Sequence, residues 1–288
     1  MKYKKIDTKL FIKNRKNFVN KLERKSIAFF NSNDIYPISA DSTLPFDQHR
    51  DIFYLSGIDQ EESILVLFPD SKDIEYKEML FIRETNEYIT HWEGEKLTKE
   101  QAKNISGINN IFWIGEFEDI LKEVLSQADF VYINTNEHYR QNVQTQTRED
   151  RFINRLKNIN GLNFKKSNPI LQKQRSVKDQ IEIELIKNAC EITKKGFERV
   201  LTFIKPGVWE YEIEAEFSHE FLRNRSRRFA YTPIIASGRN SNFLHYVYNN
   251  KQCLDGEIVL MDVGAEYANY SSDMTRTVPV NGRFSERQ

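Results

Sequence analysis

Glu257-Ile-Val-Leu-Met-Asp262-Val-Gly264-Ala-Glu-Tyr-Ala-Asn-Tyr-Ser-Ser-Asp273-Met-Thr275-Arg276-Thr277-Val-Pro279 is the stretch on which the folding of the second half of this chain turns. Ile258 to Met261 is a short, bounded apolar run that reads as a strand. Side chains alternate faces along a strand, so Asp262 shares a face with Ile258 and Leu260. An ionised carboxylate there is costly unless it is paired or meets a cation. Gly264 lets the chain bend, and Asp273 opens the return strand with Thr275 and Thr277 on its face. Two carboxylates facing one another across such a hairpin repel, and a divalent metal between them removes both problems. Spacing alone leaves two readings open: a metal site, or a turn at Asp262 with Asp273 paired to Arg276 or to solvent.

Working outward, further β signals precede this hairpin at Thr232–Ala236 and Phe243–Tyr248, and the return strand extends over Tyr270–Val280. His245 falls in the second of these runs. Gly238 suits a tight turn that would bring the strands together, so His245 can face the aspartates, or it can be an ordinary structural histidine. Two helices come before. Ser176 followed by Asp179 opens the first, Leu185, Ala189, Ile192, Gly196, Val200 and Phe203 line one face of it, and Pro206-Gly207 stops it. The second runs from about Glu210 to Arg225, with Ile213, Phe217 and Phe221 at i, i+4 and i+8. Helix, helix, then antiparallel sheet is an α+β pattern.

The first 170 residues read differently. Strand-length apolar runs at Ser26–Phe30, Ile64–Phe68, Glu78–Arg83, Ile111–Ile114 and Phe130–Ile133 alternate with helical segments around Lys9–Leu22, Lys99–Ile105, Phe117–Leu125 and Asp150–Asn158, the rhythm of an α/β layer. Thr98 with Gln101 three residues on forms a capping box that fixes one helix start. The texture changes near Asn168-Pro169, so a domain boundary belongs just before the long helix, giving domains 1–172 and 173–288.

Composition narrows the function classes. Lys and Arg number 42 against 42 Asp and Glu in 288 residues, so the net charge is zero. A neutral chain lacks the cationic excess that tracks phosphates, which argues against nucleic acid as partner. The Arg223-Asn-Arg225-Ser-Arg227-Arg228 run then reads as a solvated helix end and linker. No apolar run approaches the roughly 20 residues that span a bilayer, and the basic N-terminus leads into no apolar segment, so no membrane association and no secretory signal are expected. Cys190 and Cys253 form no spaced pair, the usage of a reducing, cytoplasmic protein.

Several of these segments also match a long family pattern. Phe229-Ala-Tyr231-Thr-Pro-Ile-Ile-Ala-Ser-Gly238, Leu244-His245-Tyr246, Met261-Asp262-Val-Gly264-Ala-Glu-Tyr and Ser272-Asp273-Met-Thr-Arg-Thr-Val-Pro-Val-Asn281-Gly-Arg-Phe284 closely resemble the Xaa-Pro aminopeptidase (aminopeptidase P) branch of the pita-bread metallopeptidases. Ser39-Ala-Asp41-Ser42, Arg50-Asp51-Ile-Phe-Tyr54-Leu55-Ser56-Gly57 and Trp92-Glu-Gly94 resemble that family's amino-terminal domain. Arg175-Ser-Val-Lys178-Asp179-Gln-Ile-Glu182-Ile resembles the helix that opens its catalytic domain. The resemblance implies an α/β amino-terminal domain of creatinase/prolidase type, a mixed sheet with flanking helices, followed by a partial α+β pita-bread catalytic domain.

The resemblance further implies a hydrolase with two divalent metal ions, usually Mn2+, that removes the first residue of a peptide when proline is second. Asp262 would chelate one metal, and Asp273 would bridge both and hold a hydroxide that attacks the scissile carbonyl. His245 matches the histidine that hydrogen-bonds substrate and stabilises the tetrahedral intermediate. Tyr231 matches a tyrosine lining the same pocket. Trp92 and Asp41 match positions that, in homo-oligomeric members, reach a neighbouring subunit's active site; ordinary packing for Trp92 and a turn cap for Asp41 are the alternatives.

The family site needs five protein ligands, and its remaining histidine and two glutamates lie well beyond Asp273. His49, His91, His138 and His219 all precede the hairpin and match none of them. The sequence therefore reads as the front part of an Xaa-Pro aminopeptidase, inactive by itself, and the intact mass of the natural protein decides whether the chain continues past Gln288. A prolidase acting on Xaa-Pro dipeptides is the closest rival. A metal-free pita-bread binding module, like a creatinase-type amidinohydrolase, would lack the Asp262 and Asp273 pair.

Overall fold

The computed structural model describes residues 3–140 and 144–288, which divide into two compact units, Ile6–Lys178 and Asp179–Gln288, with residues 3–5 clustering with the second. The first unit runs α1 (Lys9–Val19), β1 (Ser26–Asn31), β2 (Pro37–Ser39), β3 (Ser42–Thr43), α2 (Arg50–Ser56), β4 (Ile64–Leu67), β5 (Glu78–Ile82), α3 (Glu87–Glu93), α4 (Lys99–Ser106), β6 (Asn110–Trp113), α5 (Phe117–Leu125), β7 (Phe130–Ile133), α6 (Arg148–Lys157), β8 (Asn163–Lys166) and α7 (Asn168–Ser176).

Six of these strands make one mixed sheet in the order β6-β5-β4-β1-β7-β8. The pairs β1/β4 and β4/β5 are antiparallel, whereas β1/β7, β5/β6 and β7/β8 are parallel. Every residue of β1 and of β4 is buried, because helices cover both faces. Alternation then splits the apolar runs between two cores. Ala28, Phe30, Leu65, Leu67, Leu80 and Ile82 face one of them, with Phe18, Ile52, Leu55 and Ala102 from the helices. Ile27, Phe29, Ile64, Val66, Met79 and Phe81 face the other, against Phe117, Leu121 and Phe152. Each such side chain contributes roughly 1.5–3 kcal/mol by leaving water. The Thr98 and Gln101 capping box forms as the spacing predicts, Gln101 N donating to Thr98 Oγ1 at 3.1 Å and Thr98 N to Gln101 Oε1 at 2.9 Å.

The sequence reading passed over α2, α3, β8 and α7. These are short; α2 and α7 bury side chains and β8 pairs with β7, whereas α3 buries none and is capped by Asn86, whose Oδ1 accepts from Ile89 N at 2.9 Å. Helix α7 belongs with the first unit: Leu171 is buried there, Gln174 Nε2 donates to the Asn14 carbonyl at 2.8 Å, and Arg175 pairs with Asp51 at 2.5 Å. Residues 173–178 thus pack with the amino-terminal unit, although the sequence reading began the second domain at 173.

The second unit comprises α8 (Gln180–Phe203), α9 (Glu210–Arg223), β9 (Ile234–Ser237), β10 (Ile258–Val263), β11 (Glu266–Tyr267), β12 (Tyr270–Ser271) and β13 (Met274–Pro279). Helix α8 is capped by Asp179, whose carboxylate accepts from Ile181 N while Glu182 reaches back to Asp179 N. Ser176 is not part of that cap; it ends α7. Helices α8 and α9 cross at Gly196, where a Cβ would come within 2.7 Å of Phe221 and 2.8 Å of Phe217. The sheet is antiparallel, ordered β13-β10-β9. Phe243–Tyr248, read as a strand, is instead the end of a 3-10 turn, Gly238–Asn242 with Phe243 after it, and an irregular segment. Among the described residues no helix is long and apolar enough to cross a membrane.

Glu149, in the first turn of α6, yields a prediction. Its Oε2 accepts from Asn31 N at 3.2 Å and Asn31 Nδ2 at 2.8 Å, while Oε1 has no hydrogen-bond partner among the described residues. The carboxyl lines a polar cavity of about 150 Å³ with His49, Asn134, Arg148 and Asp150. Burial pushes its pKa up to about 7, against the pull of the Asn31 and Asn134 donors and with a smaller push from Asp150. The folded state therefore holds this proton more tightly than the unfolded chain. The stabilisation is fully present below the ordinary carboxylate pKa and is lost as pH rises through about 7. Exchange of β1 amides, followed by mass spectrometry, is expected to speed up between pH 5 and pH 8 beyond the intrinsic chemical rate, with a loss of up to about 3 kcal/mol. Glu149→Gln is expected to flatten that dependence.

Candidate active site

Strand β10 shows the burial that alternation dictates: Val259, Met261 and Val263 are buried, while Ile258, Leu260 and Asp262 lie on the half-buried face. Asp262 pairs in register with Thr275 of β13, and Val263 pairs with Met274. Asp273 stands just before β13, so the two aspartates come from neighbouring antiparallel strands. Their carboxylates converge on one group. Tyr231 Oη lies 2.6 Å from Asp262 Oδ1 and 3.0 Å from Asp273 Oδ1.

That phenol has a single proton to donate. It can satisfy one carboxylate oxygen, which leaves the other facing it without a hydrogen. Burial first, then hydrogen bonding to Asp262 and the charges of both aspartates, pushes the Tyr231 pKa far up, so the hydroxyl stays protonated. No lysine or arginine pairs with either aspartate among the described residues; Arg276 Nη1 instead donates to the Thr275 carbonyl at 2.7 Å. An Asp273–Arg276 pair is thereby set aside, whereas Asp273 is exposed to solvent, the other half of that alternative.

Backbone geometry explains how Asp273 is held. A Cβ on Gly264 would overlap the Ser272 carbonyl oxygen and come within 3.2 Å of the Tyr231 ring, so glycine is required for close approach rather than for a bend. The Gly264 carbonyl accepts from Ala230 N at 2.7 Å, which places Tyr231. Ser272 N donates to the Ala265 carbonyl at 3.0 Å. Ala265 N donates to Thr193 Oγ1 at 2.8 Å and lies 3.0 Å from Ser272 Oγ, and those two hydroxyls are 2.7 Å apart. Thr193, buried in α8, thus ties the helix to the loop that ends at Asp273. Sequence reading missed Thr193 and took Ser272 only as part of a family motif; a lone threonine in a helix gives no signal of its role.

The remaining residues singled out in the sequence stand elsewhere. His245 is exposed on the irregular segment after the 3-10 turn, and its ring makes no hydrogen bond among the described residues. Its neighbour Tyr246 donates to Glu210 Oε2 at 2.7 Å, and burial together with that carboxylate pushes its pKa up to about 12. In the first unit, Trp92 near the end of α3 is 70% exposed, and Asp41 is exposed in the turn between β2 and β3.

Oxygen donors from carboxylates suit a hard divalent cation. The carboxylate oxygen that faces the phenol without receiving its proton is the kind of site a cation would satisfy. Asp262 and Asp273 supply only a fraction of a coordination shell, however, and no group of three or more His, Cys, Asp or Glu able to hold a metal occurs among the described residues.

With this geometry in view, comparison with known proteins defines the class. Residues 11–132 match the aminopeptidase P N-terminal domain, and residues 184–288 match metallopeptidase family M24, whose members use divalent metal cofactors. An Xaa-Pro aminopeptidase of Escherichia coli K12 is 31% identical over 284 residues, covering 96% of this chain and 63% of that protein. One from Haemophilus influenzae is 33% identical over 251 residues, covering 86% and 55%. A solved structure assigned as an aminopeptidase P from Bacillus anthracis superposes with a TM-score of 0.90 at 30% identity, covering 98% of this chain and 67% of its own. The E. coli aminopeptidase P bound to the inhibitor Pro-Leu gives 0.86 at 29%, covering 98% and 64%. The chain belongs to the aminopeptidase P family of M24 metallopeptidases, and it spans 63% of the length of the E. coli relative.

Because the Ser272 carbonyl is backbone, no side-chain rearrangement relieves the clash at position 264. Gly264→Ala is expected to cost about 3 kcal/mol. Ser272→Ala, which removes only the hydroxyl contacts, is expected to cost about 1–2 kcal/mol. Urea unfolding of the two variants side by side checks the order, and an equal cost would remove the close-approach explanation.

Proposed function

We propose that this chain carries the amino-terminal domain and part of the catalytic site of a metal-dependent aminopeptidase that removes the N-terminal residue from peptides with proline second. The single observation that supports this reading is the convergence of Asp262 and Asp273 on the Tyr231 hydroxyl with no protein cation beside them among the described residues. The metal would be two divalent ions, Mn2+ first among them, held in part by Asp262 and Asp273. Such ions supply Lewis acidity and an ionised water as nucleophile. For the chain's own residues, Asp262 and Asp273 hold negative charge at one point, and Tyr231 orients the pair by donating its proton. His245, exposed and without a hydrogen bond from its ring among the described residues, is available to donate to a substrate oxygen on which charge develops. The Pro-Leu complex of the E. coli relative supports the choice of a proline-containing peptide as ligand.

Trp92 and Asp41 are proposed as residues that contact a neighbouring subunit of a homo-oligomer, a reading supported by their exposure. A cytoplasmic location is proposed from two free cysteines, Cys190 exposed and Cys253 buried. Nucleic acid and membrane are not proposed as partners of a neutral chain.

Calorimetric titration of Mn2+ into this chain is expected to show weak binding that falls about tenfold or more in Asp262→Asn or Asp273→Asn. A form that also carries the remaining implied ligands is expected to release the first residue of an Xaa-Pro-Yaa tripeptide only with Mn2+, whereas this chain alone is expected not to turn over. Metal-dependent turnover by this chain would overturn the assignment of an incomplete site, and success of the longer form on Xaa-Pro dipeptides alone would make it a dipeptidase. Sedimentation of that longer form should reveal an oligomer that Trp92→Ala weakens; a monomer at all concentrations would remove the cross-subunit role.

A further inference from the structure

Between β9 and β10 the chain runs through positions 238–257 without joining either sheet. Phe243, Leu244, Val247 and Tyr248 of this segment are exposed, so burial does little to fix the shape of the part that carries His245, whereas Asn249 and Cys253 further on are buried. A carboxylate does. Glu210, the first residue of α9, is fully buried. Its Oε1 accepts from Ser237 N at 2.7 Å, Ser237 Oγ at 2.8 Å and Asn240 Nδ2 at 3.3 Å. Its Oε2 accepts from Tyr246 Oη at 2.7 Å and Lys251 N at 2.9 Å. A carboxylate offers about four lone-pair sites, so these donors saturate it, which is how a charge tolerates that depth.

The donors are distributed in a telling way. Ser237 ends β9, Asn240 lies in the 3-10 turn, and Tyr246 and Lys251 lie on the far side of His245. A second anchor reinforces the exit: Asn249 Nδ2 donates to Glu214 Oε2 at 2.8 Å and to the Pro233 carbonyl at 3.1 Å, while Ile235 N donates to Asn249 Oδ1 at 3.0 Å. His245 is therefore bracketed by Asn240 and Tyr246, both bound to one carboxylate, and its own ring makes no hydrogen bond among the described residues.

We propose that Glu210 is the positioning residue for His245: through Asn240 and Tyr246 it sets where the imidazole stands, without touching substrate. The inference rests on the proposed role of His245 for its catalytic meaning, but the positioning itself is tested without any activity. Tyr246→Phe removes one bond from the bracket and leaves the carboxylate its other donors. Glu210→Gln keeps the shape but turns an amide N–H toward donors.

The test uses the 288-residue chain. Hydrogen exchange by mass spectrometry compares positions 238–251 with α8, and the imidazole resonances are followed by NMR, that of His245 being assigned from its loss in His245→Asn. Both variants are expected to speed exchange across 238–251 by about tenfold while α8 stays unchanged, and to shift and broaden the His245 signal alone among the histidines. Exchange that rises equally in α8 and the loop, or a His245 signal unmoved in Tyr246→Phe, would show that Glu210 only stabilises the unit and would overturn the proposal. Should Glu210→Gln fail to fold, Tyr246→Phe decides the matter alone. His245→Asn assayed in the longer, active form separates the two readings: full activity there would remove the role of His245 and leave the positioning result standing.

Discussion

Asp262 Oδ1 and Asp273 Oδ1 meet at a phenol hydroxyl that has one proton for two acceptors. Like charges held this close repel, and the chain spends several features on keeping them there. The antiparallel register of β10 and β13 aligns the strands. Gly264 admits the Ser272 carbonyl where any Cβ would collide. Thr193 and Ser272 close a small hydroxyl network on Ala265 N, so that α8, the longest helix of the unit, backs the loop. Close packing around Gly264, Ser272 and Thr193 holds the two carboxylates in place.

Glu210 shows the opposite treatment of the same functional group. Its carboxylate is deeper than Asp262 or Asp273, yet each oxygen is met by hydrogen donors, and the charge is neutralised by dipoles rather than by a cation. One carboxylate is saturated by internal donors, and the other two share a single phenol proton.

The amino-terminal unit obeys a simpler constraint. A mixed sheet covered on both faces must bury every residue of its central strands, and β1 and β4 do so. The polar groups that remain inside, such as Glu149 against Asn31, are then the points where pH reaches the fold.

Short-range rules explain what the sequence determined by itself. Alternation along Ile258–Val263 placed Asp262 on the half-buried face, the periodicity of Leu185, Ala189, Ile192, Gly196 and Val200 gave the buried stripe of α8, and the Thr98 and Gln101 spacing gave a cap, because each depends on neighbours a few residues apart. The family motifs around Tyr231, Asp262 and Asp273 were legible as well, though not the hydrogen bonds that join them. Only the tertiary structure decided the rest. Phe243–Tyr248 has the composition of a strand but pairs with none, and the segment is tied down instead by Glu210, 36 residues from Tyr246, whose hydroxyl it binds, and 41 from Lys251. The Tyr231 hydroxyl reaches its aspartates across 31 and 42 residues of chain. Hydrogen-bond partners that far apart are selected by packing, and packing is a property of the whole fold that no local spacing encodes.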